Sequence, residues 1–224
     1  MRFLEIAVFN YESAVAAKKG GADRLEVCQN YTVGGFTPSF EFVQNVKNMG
    51  GIDVFIMIRQ KADNFVYSGK NMDKMLRDID VFKGMDVNGF VFGGLDGSKN
   101  VHKEFSKQII EAANPLPVTF HRAFDLCKDL NRAAEDVIEC GFKRILTSGG
   151  KSNAYEGRFA IRDLIKRYGK DIIFMPGGGI RKKNISEMID ITNAQEFHTS
   201  ALRENQSTTI PNIEFEDVID IKNG

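Results

Sequence analysis

Short apolar runs recur along the chain, each closed by glycine or a polar residue and followed by a longer amphipathic stretch. Phe3–Val8 reads as a first strand interrupted by Glu5, and Asn10 then caps an alanine-rich helix over Tyr11–Lys19 that Gly20 and Gly21 stop. Residues 24–28 read as a second strand carrying Glu26. A loop with Gly34 and Gly35 leads to Thr37 and Pro38, read as N-cap and first-turn proline of a helix over 39–48. Residues 53–58 form a third strand closed by Arg59. The polar loop 60–69 is long for a strand-to-helix connection. Over 71–83, Met72, Met75, Leu76, Ile79 and Phe82 share one helical face. Gly89–Phe92, Val118–Phe120, Arg144–Thr147, 172–175 and 195–200 supply the later strands, separated by helices over Lys103–Ala113, 129–140, 154–168 and 182–191. The tail is polar, and its weakly patterned run over 213–221 reads as a degenerate last helix.

Eight strands alternating with at least seven helices imply a parallel sheet covered by helices, and eight such units imply closure into a (β/α)8 barrel of the TIM type. The expected organisation is a single α/β domain over 1–202, with a tail over 203–224 that packs on or extends the barrel. An open doubly wound sheet is the competing arrangement. Its phosphate-binding glycines would follow the first strand, where Val8, Phe9 and Asn10 stand instead.

With 224 residues, the chain is long enough for one barrel. Lys+Arg and Asp+Glu both total 30, which argues against nucleic acid or an anionic membrane surface as a partner. No apolar run is long enough to span a bilayer, and the first residues carry no signal-peptide pattern. Three cysteines do not make a disulfide framework. These features imply a cytoplasmic protein, and a homo-oligomer, a dimer by default, is the expected assembly.

Ligands of such barrels bind at the C-terminal ends of the strands. The polar residues expected there include Glu5, Glu26, Cys28, Arg59, His121, Arg122, Asp125, Thr147, Ser148, His198 and Ser200. Alternation places Glu26 with Cys28 on one face of the second strand, and Glu196 with His198 and Ser200 on one face of the eighth. The first, second and eighth strands are neighbours in a closed barrel, so Glu5, Glu26 and His198 are expected to converge. Two readings stay open: a structural ion-pair network in which Arg59 meets Glu5 or Glu26, or acid–base chemistry and metal ligation at His121 or His198. The catalytic candidates are Glu5, Glu26, Arg59, His121, Arg122, Asp125 and His198.

The apolar run over 172–175 empties into Gly177, Gly178 and Gly179, and a helix follows at once. Such a turn either serves only to reverse the chain or holds an anion on backbone N–H groups at the helix start. With Thr147, Ser148, Gly149 and Ser200 it forms a candidate anion site for a small, phosphorylated metabolite. The spacing is not a dinucleotide fingerprint, so no nucleotide cofactor is expected. Cys140 reads as packing. Cys28 and Cys127 follow strands that lie far apart around the barrel.

Several blocks carry a resemblance: Leu4-Glu-Ile6, Gly20 through Cys28, Gly34-Gly35 with Thr37-Pro38-Ser39, Met57-Ile-Arg59, Pro117 through Asp125, Arg144 through Gly149, Met175 through Gly179, and Glu196-Phe-His198. Together they resemble the CutC family over about residues 3–202. The resemblance implies a TIM barrel, a cytoplasmic location, and an association with copper homeostasis and Cu(I) binding through cysteines after the first two strands. Cys28 matches the second of these and is the implied metal ligand. Ala7 stands where the first would fall, leaving a one-cysteine site that is weak for a soft metal.

Overall fold

Leu4, Ile6 and Val8 alternate with Phe3, Glu5 and Ala7, and this two-residue period recurs in most strands of the molecule. The computed structural model describes residues 2–202 and 212–224, so part of the tail, 203–211, lies outside the described residues. The strands are β1 (Phe3–Val8), β2 (Arg24–Val27), β3 (Asp53–Met57), β4 (Gly89–Phe92), β5 (Val118–Phe120), β6 (Arg144–Thr147), β7 (Ile173–Pro176) and β8 (Glu196–Thr199). All pairings are parallel, in the order β7-β6-β5-β4-β3-β2-β1-β8. β7 and β8 lie side by side at the remaining seam, so the sheet is a nearly closed barrel, as the strand count implies.

Helices α1 (Tyr11–Lys19), α2 (Phe40–Asn48), α3 (Gly69–Lys83), α4 (Lys103–Ala113), α5 (Leu130–Cys140), α6 (Arg158–Tyr168), α7 (Lys182–Thr192) and α8 (Phe215–Asn223) follow the strands in turn. The outward strand residues Leu4, Ile6, Val8, Leu25, Val27, Val54, Ile56 and Phe90 are buried with Ala14, Val43, Met75, Ile79 and Ile109 of the helices. Each such aliphatic side chain contributes about 1.5–3 kcal/mol by leaving water, so this outer layer carries most of the stability. No helix among the described residues is long and apolar enough to cross a membrane.

Two expected boundaries shift for local reasons. Ser39, not Thr37, caps α2 by accepting from the Phe42 N–H, while the Thr37 hydroxyl is taken by the backbone of Arg59. Residues 154–157 form turns, and α6 begins only at Arg158, after Gly157, whose missing side chain lets it lie against the Ser148 carbonyl. The degenerate last helix is α8, packed on α1 and α7. Val218 lies against Gly20, Lys222 pairs with Asp23, and Lys182 reaches Asp220 at 2.8 Å.

Candidate functional site

The inward positions of the barrel are where this chain departs from an ordinary apolar filling. Arg24, Arg144 and Glu196 open their strands facing the axis, and all three are buried. Arg24 Nε donates to Glu5 Oε2 at 2.5 Å and its Nη2 donates to Glu196 Oε2 at 2.6 Å. Arg144 donates to both Glu196 oxygens, at 3.0 and 3.3 Å. Two cations and two carboxylates thus neutralise one another inside the barrel, as burial of charge requires.

One layer nearer the C-terminal rim, the register sets Glu5 opposite His198 and Ala7 opposite Glu26. His198 Nδ1 lies 2.7 Å from Glu5 Oε1, and its Nε2 lies 3.9 Å from Glu26 Oε2. Glu5, Glu26 and His198 each bring a donor atom within 4.8 Å of the others. Burial alone would raise the Glu5 carboxyl, but Arg24 and His198 hold it at about 2. Burial raises Glu26, with nearby Glu5 adding to the effect against the pull of His198. His198 is pushed up, because Glu26 and Glu5 together outweigh its desolvation. Glu26 Oε2 accepts from the Cys28 thiol at 3.4 Å, while Glu26 Oε1 is buried with no hydrogen-bond partner among the described residues. Burial and the Glu26 carboxylate push the Cys28 thiol well above its ordinary value.

Arg59 does not join this network, which corrects the expected pairing with Glu5 or Glu26. Its guanidinium turns outward and donates to the carbonyls of Val33, Gly35, Lys61 and Ala62, tying the loop after β2 to the loop after β3. The cations that pair inside the barrel are Arg24, with Glu5 and Glu196, and Arg144, with Glu196. Alternation carried the signal for them, because Arg24 shares a face with Glu26, and Glu196 shares one with His198.

His121 lies apart from the His198 cluster, packed over Gly93 and against Phe65 of the long loop. Its Nδ1 accepts from the Ala123 N–H at 3.2 Å, so Nε2 carries the proton, and that atom has no hydrogen-bond partner among the described residues. Burial, with Arg59 nearby, holds this imidazole at about 3 and therefore neutral near pH 7.

Around the expected anion loops the donors are largely engaged. The Asp125 carboxylate accepts from the Thr147 hydroxyl, from the Ser148 N–H and hydroxyl, and from the Gly150 N–H. The Gly149 N–H goes to Thr147 Oγ1. Arg122 bonds Asp125 and the Ser148 hydroxyl and lies against Gly178. Gly178 and Gly179 have φ of +91° and +84°, which accounts for glycine at both positions. The Asn184 side chain fixes this turn by donating to the Gly179 carbonyl. Gly177 is needed for space: a Cβ there would strike Leu146 and come within 3.2 Å of His198 Cβ. Ser200 follows β8, half-buried.

The cysteines remain separate. Cys28 packs inside the barrel with Phe55, Met57 and Val91. Cys127 lies on Ala123 O and Cys140 on Lys103 O, in other parts of the molecule.

A family model described as the CutC family matches residues 2–203. The human copper homeostasis protein cutC homolog is 42% identical over 198 residues, spanning 88% of this chain and 72% of its own. A CutC family protein of Parabacteroides distasonis is 42% identical over 201 residues, covering 89% of this chain and 83% of its own. Among solved structures, CutC of Streptococcus agalactiae superposes with a TM-score of 0.85 at 28% identity, covering 89% of this chain and 99% of that one. A phosphoribosyl anthranilate isomerase of Thermotoga maritima, 15% identical with a TM-score of 0.65, shares the barrel fold over 100% of this chain and 98% of its own.

Proposed function

The chain belongs to the CutC family, and from that membership we infer a role in copper homeostasis in which Cu(I) is cargo taken up at the C-terminal rim of the barrel by Cys28. The observation that carries this reading is the packing of Cys28 with Met57 in one interior cluster. A thiol and a thioether are the soft donors that suit Cu(I). No second thiol supports the site, since Ala7 occupies the matching place on β1 and the other two cysteines lie elsewhere. The site therefore suits transient handling of copper rather than permanent storage. The reduced thiol this chemistry needs persists in a reducing compartment, in keeping with a cytoplasmic protein, and Cu(I) would displace the proton that burial and Glu26 hold on Cys28. An anaerobic Cu(I) competition titration against a chelator of known affinity, on wild type and Cys28→Ser, tests the reading. One-to-one binding lost in the variant supports it; equal binding in both discards it.

A second reading, turnover of a small anionic metabolite, rests on Arg122, whose guanidinium lies between the Asp125-filled loop and Gly178. Within that reading Glu26 is the better acid–base candidate, because Glu5 is clamped by Arg24 and held at about 2. Inorganic phosphate that raises the melting temperature of wild type but not of Arg122→Gln would favour it. No shift in wild type would remove it.

A further inference from the structure

His198 presents its two ring nitrogens to two different carboxylates, and the two contacts differ in kind. Nδ1 is hydrogen-bonded to Glu5 Oε1 at 2.7 Å, and Glu5 is itself anchored by Arg24. Nε2 lies 3.9 Å from Glu26 Oε2, too far for a hydrogen bond, and nothing among the described residues hydrogen-bonds it. A carboxylate that fixes Nδ1 and leaves Nε2 directed at a second carboxylate is the outer-shell arrangement of histidine ligands at metal centres. Glu26 supplies an independent observation. Glu26 is only 3% exposed, yet its Oε1 has no hydrogen-bond partner among the described residues, an uncompensated burial that a bound cation would offset.

We propose that Glu26 and His198 Nε2 form a binding site for a divalent first-row metal ion, Zn²⁺ or a close relative, with Glu5 as the residue that orients His198. Bonds of about 2.0–2.2 Å at a tetrahedral angle set ligand atoms roughly 3.3 Å apart. The present 3.9 Å separation therefore closes by about half an ångström on side-chain rotation, and a carboxylate with both oxygens free of Arg24 can ligate through either or both. Imidazole with carboxylate favours a borderline divalent ion over Cu(I), so this site is distinct from the Cys28 copper reading and does not depend on it. The His198 side chain is 12% exposed, on the side from which an ion would enter, and a two-residue site would leave coordination positions for water or a substrate oxygen.

The experiment is Zn²⁺ titration of metal-stripped protein by calorimetry, on wild type, E26Q, H198Q, E5Q and C28S, with circular dichroism of each variant to verify folding. The site predicts one-to-one binding in wild type that is lost in E26Q and H198Q, roughly 10–100-fold weaker in E5Q, and retained in C28S. Co²⁺ in place of Zn²⁺ should give the intense visible bands of a four- or five-coordinate ion without a thiolate charge-transfer band. Because E26Q keeps the size of the side chain, binding by this folded variant equal to wild type overturns the proposal, as does loss of binding in C28S. Cu(I) titration of the same proteins separates the two readings. Cys28→Ser loses Cu(I) but keeps Zn²⁺ if the copper reading holds, whereas Glu26→Gln and His198→Gln lose Zn²⁺ if this one holds.

Discussion

The Asp125 carboxylate sits 3.0 Å from the Ser148 N–H and 2.8 Å from its hydroxyl, filling the nest of donors after β6 from within the protein. A loop of threonine, serine and two glycines at a barrel rim reads from sequence as an anion site, and it does hold an anion. That anion is the chain's own, delivered by the short turn after β5.

Removing it leaves the Ser148 and Gly150 N–H groups and the Thr147 hydroxyl without their acceptor. Asp125→Ala is therefore expected to cost roughly 3–5 kcal/mol in urea unfolding, the range for stripping one partner from a buried charge network. Asp125→Asn, which keeps one carbonyl acceptor, should cost less. Sulfate should stabilise Asp125→Ala more than it stabilises wild type, because only the variant adds an empty nest to the general salt effect. A variant as stable as wild type would show that the loop does not depend on this carboxylate.

Arg24 is the hub of the buried network, with Glu5 on one side and Glu196 on the other. Arg24→Met leaves Glu5 with His198 alone and Glu196 with Arg144 alone, so a loss of about 3–5 kcal/mol is expected in chemical denaturation. Lysine should not rescue it, since a single ammonium lacks the fork that reaches both carboxylates. Recovery to wild-type stability in Arg24→Lys would show that charge, not geometry, is what the site requires.

Acid stability carries two signatures. Glu5 is held at about 2 against a reference of 4.5, so its contribution is full above pH 4.5 and is lost as pH falls toward 2. His121 is held at about 3 against 6.5, so the unfolded chain binds the extra proton between these values. Stability from this buried neutral imidazole is full above pH 6.5 and is lost as pH falls toward 3. His198 works in the opposite sense: its pKa is raised, so its contribution is full below 6.5 and fades as pH rises through the folded value. Unfolding free energies of wild type and His121→Gln from pH 7 to 4 should converge as pH falls. Parallel curves would mean that His121 takes up its proton equally in the folded and unfolded chains.

Much of this was legible in the residues. Apolar runs bounded by glycine, proline or a polar residue marked the strands, because a strand covered by helices is read from its apolar run and the turn residues that close it. Alternation also brought Glu5, Glu26 and His198 together, since their strands are neighbours and period two fixes the inward face. What escaped was the fate of side chains long enough to turn. Arg59 lies just past the end of β3, but its guanidinium is captured by carbonyls of two loops whose paths no periodicity encodes. Arg24 opens a strand and reaches across the axis to β8, a partnership that depends on barrel closure.

Gly177 gives the last test, because it separates a glycine kept for space from one kept for backbone freedom. It is absent from the positive-φ residues that include Gly178 and Gly179, so alanine suits its backbone. What alanine meets is Leu146, and then His198 Cβ at 3.2 Å. Gly177→Ala should therefore destabilise by about 1–3 kcal/mol through overpacking and should displace the imidazole from Glu5. Gly178→Ala should also destabilise, through backbone strain at positive φ and contact with Arg122, but without moving His198. The readout is the His198 ring resonance across a pH titration. In Gly177→Ala its pKa should fall toward 6.5 as the carboxylate contacts loosen, whereas in Gly178→Ala it should keep its wild-type value. Equal titration curves in all three proteins would mean that Leu146 yields instead, and that the glycine after β7 does not set the position of His198.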